Sequence, residues 1–357
     1  MREEPKEAVE FMSPFNPRAD GYQVPSGSSN GSAAGIGSYD WLDFSLGSDT
    51  NGSGRKPAQY NGCFSIRPST GIMNTEGVVG NFPQFDMPMF FGRDISRFPE
   101  FIDVWYGNSP MLKAPTKYPQ DYLPNVNQLQ SNLIERFLKG LEGPFEVQRE
   151  VISLAEEWRK DFPDGSEHAD IAEYLRLAGG YPYYHDSYRS LEPFRREYKE
   201  RYGKASFVHN AMCWQWAVSK DISTEERDKY WRRSEIYRHW LLERIFGAQS
   251  EESISVMIFP IEEGKPNYRD GGILYANVNS QRLCFMNMSS MMRGPEVTAP
   301  VGHIPFFSTV TEREEPLPIA VSVIGAPGTD LILAEVVEKG MKFADIPKKV
   351  RVGRSMY

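Results

Sequence analysis

Two clusters of glycine and serine hold the residues best suited to chemistry. The first, Ser26-Gly27-Ser28-Ser29-Asn30-Gly31-Ser32, contains the pattern G-x-S-x-G. That pattern marks a nucleophile elbow only where a strand runs straight into it. Residues 16–26 (NPRADGYQVPS) hold two prolines and no alternating apolar run. No acid and histidine are placed to complete a Ser-His-acid set, so the elbow reading is rejected. The second cluster is Ser48-Asp49-Thr50-Asn51-Gly52-Ser53-Gly54-Arg55. A serine in such a glycine-containing loop can have several backbone N–H groups aimed at one point. That arrangement stabilises the oxyanion of acyl transfer. By itself the segment also reads as an ordinary tight turn.

Other reactive residues carry weaker signals. The five histidines (His168, His185, His209, His239, His303) form no HExxH or other close pair, so no metal site is expected. Cys63, Cys213 and Cys284 are odd in number and lack CxxC spacing, which points to a reducing compartment. Tyr181, Tyr183, Tyr184 and Tyr188 read as a packed helix junction rather than a pocket wall. Lys348, Lys349, Arg351 and Arg354 read as a solvated terminus.

The elements that position the two clusters follow from periodicity. Residues 26–54 hold seven glycines and eight serines in 29 positions, which suggests a flexible linker. Order within the segment opposes that. Ser32, Ala33, Ala34 and Ile36 suit a tightly packed helix over Asn30–Tyr39, and Leu42, Phe44 and Leu46 alternate with polar residues as in a strand. Residues 55–110 read as turns and short strands. Residues 145–161 read as an amphipathic helix. A second long helix follows the capping box Ser223-Thr224-Glu225-Glu226 and ends near Gly247. Ser253–Pro260 and Leu317–Ile324 read as strands. Strand, helices and strand in that order indicate an α/β protein.

Composition excludes several classes. The chain has 357 residues, 40% hydrophobic and 25% charged, as in a globular enzyme. Its net charge of −8 argues against a nucleic-acid partner bound by bulk charge. The start MREEPKEAVE has no apolar core, and no run approaches the roughly 18 apolar residues that span a bilayer. A cytoplasmic protein without a membrane partner is expected. Oligomeric state is left open.

The paired clusters resemble the amidase signature family. The resemblance rests on 26–32, on Gly47 to Ser53 with Arg55 and Pro57, and on Asn16-Pro17 upstream. It continues through Asn61-Gly62-Cys63, Ile66 to Gly71, and Gln84-Phe85-Asp86 to Arg93-Asp94. Near the end, Gly294-Pro295 with Pro300, and Leu317-Pro318 to Gly325 with Pro327-Gly328, look like that family's returning strand and loop. The run SYDWLDFSLGSDT looks most like fungal members, several of which sit beside secondary-metabolite genes.

The resemblance implies a Ser–cis-Ser–Lys hydrolase of amide bonds, acting on a small-molecule amide without metal or organic cofactor. Ser53 is then the nucleophile, and Ser28, after a cis Gly27–Ser28 peptide, relays a proton. Backbone amides of Thr50, Asn51, Gly52 and Ser53 form the oxyanion hole. Gly27, Ser29, Asp49 and Arg55 support them. The implied fold is a mixed sheet flanked by helices in one domain over 1–357. A signature core (14–110) is followed by a helical cap (111–250) over the substrate entrance, then by a returning sheet and C-terminal segment (251–357).

Four departures stand out. Asn30 and Asn51 replace glycines, and Lys56 stands where an apolar or small residue is common. The family's base is a lysine about seventy residues before the relay serine, and a serine without a base is a weak nucleophile. Only 27 residues precede Ser28 here, and their one lysine is Lys6. The expectation is therefore an amidase lacking its amino-terminal segment. The alternatives are a non-catalytic remnant or binding protein, and the glutaminase-type subunit of an amidotransferase.

Overall fold

The computed structural model describes residues 13–113, 128–163, 170–247, 254–271 and 285–357. Lys6, His168, Ser253 and Cys284 lie outside them. The expected helix is Asn30–Ser38 (α1), with Ala33, Ala34 and Ile36 buried. The next strand runs over Phe44–Asp49 (β1), two residues later than its alternation suggests. Leu46 is exposed and Asp49 fully buried. The apolar alternation fails because β1 lies at one margin of the sheet.

Residues 55–110 contain the expected short strands, Phe64–Arg67 (β2) and Met87–Gly92 (β3). They also contain two helices that composition hid, Arg55–Tyr60 (α2) and Phe98–Tyr106 (α3). α2 has six residues and α3 carries proline in its first turn. Both are too short to impose a readable period.

Three later strands complete the sheet: Val256–Pro260 (β4), Glu296–Ser308 (β5) and Arg313–Gly325 (β6). The order is β1-β3-β2-β5-β6-β4. Every neighbouring pair is antiparallel, so among the described strands the sheet is not of mixed direction. A short reversal over 309–312 joins β5 to β6, and such a connection fixes an antiparallel pair. The apolar run at 318–325 is buried throughout, as a strand covered on both faces should be.

The middle of the chain is helical. Gln128–Phe145 (α4) was not anticipated. The helix expected over 145–161 is reduced to Leu154–Lys160 (α5). Glu146 takes a left-handed φ of 53°, which stops α4, and the Ser153 side chain accepts from the Glu156 amide to start α5. Ile171–Leu175 (α6), Tyr181–Ser190 (α7), Glu192–Tyr202 (α8) and Asn210–Lys220 (α9) follow. Thr224–Trp240 (α10) has the full capping box at Ser223 and Glu226. It continues as one π-helical turn to Ile245, and Gly247 follows at φ 65°. Tyr181 packs on Tyr230, Tyr184 on Trp214 and Tyr188 on Trp216, which makes the tyrosine group a helix junction.

Met288–Met292 (α11) precedes β5, and Asp330–Phe343 (α12) follows β6. Residues of α3, α4 and α12 share the main core with β2, β5 and β6. A second core gathers α5, α6, α10 and α11 around Phe82, Phe85, Trp158 and Tyr237. Ala33, Ile36, Ala58, Cys63, Met89 and Phe91 form a third, joining α1 and α2 to β3. Among the described residues no helix is long and apolar enough to cross a membrane.

Candidate active site

The two glycine–serine clusters meet. The Ser29 amide donates to the Ser53 carbonyl at 2.9 Å. Ser29 Oγ donates to the Ser48 carbonyl at 3.0 Å and accepts from the Ser48 amide at 3.1 Å. A Cβ on Gly47 would stand 2.7 Å from Ser29 Oγ, so glycine is required there for the loops to close. Further along, Ser32 Oγ donates to the Leu46 carbonyl and Ser45 Oγ to the Ser32 carbonyl, stitching α1 to β1. The Gly27–Ser28 peptide is cis. Ser28 and Ser53 are both half-buried.

Asp49, fully buried at the end of β1, organises the loop that carries Ser53. Its Oδ1 accepts from the Gly52 amide at 2.9 Å and its Oδ2 from the Gly54 amide at 2.8 Å. Those amides flank Ser53. Arg55 closes on the same carboxylate through Nη2 at 2.8 Å and Nε at 3.1 Å, a forked geometry that fixes direction as well as charge. The Gly52 N–H is therefore committed to Asp49.

Arg55 extends the network across the sheet. Its Nη1 donates to Glu296 at the start of β5, to Ser289 Oγ at 2.8 Å and to the Met286 carbonyl at 2.6 Å. Ser289 and Ser322 hydroxyls also donate to Glu296, and Ser290 Oγ donates to the Thr50 carbonyl at 2.8 Å. Arg67 on β2 lies opposite Glu296 in the register and 3.6 Å from Asp49. Thr50 Oγ1 donates to Asp86, whose other oxygen accepts from the Asn81 and Phe82 amides. Asn51 Oδ1 is buried without a hydrogen-bond partner.

Charge alternates through this buried set, and the alternation decides its ionisation. Burial alone would raise the Asp49 carboxyl, but Arg55 and Arg67 hold it down at about 2. Burial opposes the charge of Arg55, yet Asp49 and Glu296 raise its pKa. Arg67 is lowered by burial to about 10. Lys56 pairs with Glu262 at 2.6 Å. Among the described residues no cluster of three or more His, Cys, Asp or Glu could hold a metal ion. His185 pairs with Asp186 instead.

Sequence reasoning missed Glu296, Ser289 and Ser290 altogether. Arg67 and Asp86 sat inside the resembling segments without an assigned role. An acid heading the mostly apolar run 296–301 was the available signal for Glu296. A strand interior carries a charge only where another charge meets it.

Residues 10–156 match the family model described as Amidase. Over those residues the chain is similar to that family. The matched residues include both serine loops and Asp49, Arg55 and Arg67, whereas Glu296 and Ser289 lie beyond them. "Amidase 1" of Oryza sativa subsp. japonica is similar, 46% identical over 112 residues, 31% of this chain and 25% of the relative. A glutamyl-tRNA(Gln) amidotransferase subunit of Methanothermobacter thermautotrophicus is 33% identical over 169 residues, 46% of this chain and 34% of the relative. In three dimensions, allophanate hydrolase of Kluyveromyces lactis superposes with a TM-score of 0.69 at 19% identity. That superposition covers 93% of this chain and 51% of the hydrolase. The likeness establishes a shared α/β fold, a sheet flanked by helices. The chain spans about half the length of that hydrolase.

Proposed function

We propose that this chain is part of a serine amidase that cleaves a carboxylic amide through an acyl-enzyme. The observation that carries the reading is the hydrogen bond from the Ser29 amide to the Ser53 carbonyl, which brings Ser28 beside the nucleophile loop. Ser53 Oγ attacks the amide carbonyl while Ser28 takes its proton and passes it to the departing amine. The oxyanion is met by the N–H groups of Thr50, Asn51 and Ser53, and water then releases the acid. Gly52, Asp49 and Arg55 hold the loop, and Ser29 fixes it to β1. No metal or organic cofactor takes part in this scheme. The substrate is a small amide reached beneath the helices of the middle region, in a cytoplasmic protein.

Ser28 needs a base of its own. Lys56 is engaged with Glu262. We propose that the base is a lysine that the described residues do not supply. A fluorophosphonate probe tests both parts. Ser53 should be labelled rapidly in an upstream-extended chain, slowly in the 357-residue chain, and not in Ser53→Ala. Equal rates in the two lengths would overturn the assignment of the base. No label in either would leave a non-catalytic binding fold.

A second reading has its own support in the similarity to the glutamyl-tRNA(Gln) amidotransferase of Methanothermobacter thermautotrophicus. There the same serine would release ammonia from glutamine for a partner chain. A stable complex with a synthetase-like protein is its requirement. A lone species on sizing chromatography that hydrolyses simple amides would exclude it.

A further inference from the structure

The sequence has three Asn-Gly steps, at Asn30–Gly31, Asn51–Gly52 and Asn61–Gly62. Glycine, with no Cβ in the way, best lets its amide nitrogen reach and attack the side-chain Cγ of the asparagine before it. The three carboxamides are held very differently. Asn61 is fully buried, and although its Oδ1 also lacks a partner, its Nδ2 donates to the carbonyls of Pro25 and Pro57 at 2.9 and 2.8 Å. Asn30 begins α1, is 4% exposed, and its Oδ1 accepts from the Gly31 amide at 2.8 Å. Asn51 is half-buried in the loop ahead of Ser53, and its buried Oδ1 has no hydrogen-bond partner. Gly52 sits at φ 106° with its N–H on the Asp49 carboxylate at 2.9 Å. The Gly52 N–H thus points at an anion. Gly62 donates only to a neutral carbonyl, that of Gln59.

We propose that Asn51–Gly52 is a self-modification site, at which the chain converts to isoaspartate or aspartate inside its own nucleophile loop. In the first step the Gly52 nitrogen bonds to Asn51 Cγ. The Cγ–Nδ2 bond breaks, and ammonia leaves with the Gly52 amide proton. In the second, water opens the resulting succinimide at either carbonyl, giving an acid in place of the amide. The isoaspartyl product adds a methylene to the main chain between Asp49 and Ser53. Either product sets a new carboxylate two residues from Ser53, where an oxyanion would otherwise be stabilised.

The test does not depend on catalysis by Ser53. The 357-residue chain is held folded at mildly alkaline pH, below its unfolding midpoint, and sampled over time. Peptide mapping by mass spectrometry and methylation by isoaspartyl methyltransferase report each site. Conversion at Asn51 should come first and run several-fold faster than at Asn30 or Asn61. Asn51→Gln should remove that signal alone. A free peptide of residues 44–58 supplies the rate of the unrestrained sequence. Conversion at Asn30 or Asn61 as fast as at Asn51 overturns the proposal. So does an unchanged Asn51 over the time in which the peptide converts, and so does a peptide that fails to convert.

Discussion

Asp49 and Asp330 are both fully buried carboxylates, and their surroundings push them in opposite directions. Asp49 faces two guanidinium groups and stays ionised, with its pKa lowered to about 2. Asp330 is raised to about 6 by burial, because its nearest partners, the Ser69 hydroxyl and amide, are neutral and only partly offset it. The consequences for stability have opposite signs. A folded pKa below the unfolded one gives stability at higher pH that disappears on acidification. Asp49 should therefore contribute about 2 kcal/mol that is lost between about pH 4 and pH 2. Asp330 prefers its proton in the folded state, so folding is penalised as pH rises from about 4 to about 6. In urea melts across pH, the stability of the parent relative to Asp330→Asn should fall by about 3 kcal/mol over that window and be flat above it. Asp49→Asn should cost about 3–5 kcal/mol at neutral pH, because it leaves Arg55 and Arg67 with too little negative charge. Asp49 and Arg55 were singled out in the sequence through the family resemblance. Glu296 was not, since the contact joining it to Arg55 spans 241 positions and only the strand register creates it.

Helices and strands approach closely where glycine permits. Gly140 on α4 faces Gly340 on α12, and a Cβ at Gly140 would lie 2.4 Å from the Gly340 carbonyl and 2.6 Å from Ala344 Cβ. The Gly340 carbonyl is helix backbone and Ala344 is the C-cap of α12, so neither can rotate away. Gly140→Ala should therefore lower the thermal midpoint, at a cost of about 1–3 kcal/mol in chemical denaturation, although alanine favours the helix itself. The loss should appear without any change at Ser53. Single elements were read unevenly. α10 announced itself through Ser223 and Glu226, because a capping box is local chemistry. α4 did not, because its own Pro144 and a run of polar residues obscured a face that packs against α12.

The two ends of the described chain are joined through Arg18. This fully buried guanidinium donates to the carbonyls of Asn61, Gly62, Arg351 and Gly353. Burial among neutral acceptors lowers its pKa to about 10. The Ala19 amide donates to Arg354, and the Tyr357 hydroxyl reaches the Pro300 carbonyl at 2.7 Å. The basic tail expected to be a solvated terminus is thus partly built into the protein, with Met356 buried. Deleting residues 351–357 should destabilise the fold by at least about 3 kcal/mol, from two charge-assisted hydrogen bonds at about 1.5 kcal/mol each. A thermal midpoint unchanged by that deletion would show that Arg18 finds water instead.

What could be read along the chain was whatever neighbouring residues decide among themselves: the serine loops, the helix after Asn30, the cap at Ser223, the apolar strand ending at Gly325. Their signals lie within a few positions, so periodicity and spacing carry them. The antiparallel order of the sheet, the commitment of the Gly52 amide to Asp49, and the Glu296–Arg55–Asp49 chain of charge belong to the tertiary structure. Each depends on which distant segment desolvates a polar group and must then satisfy it. That partner is chosen by packing, because a buried charge is tolerated only where the fold brings its opposite within reach.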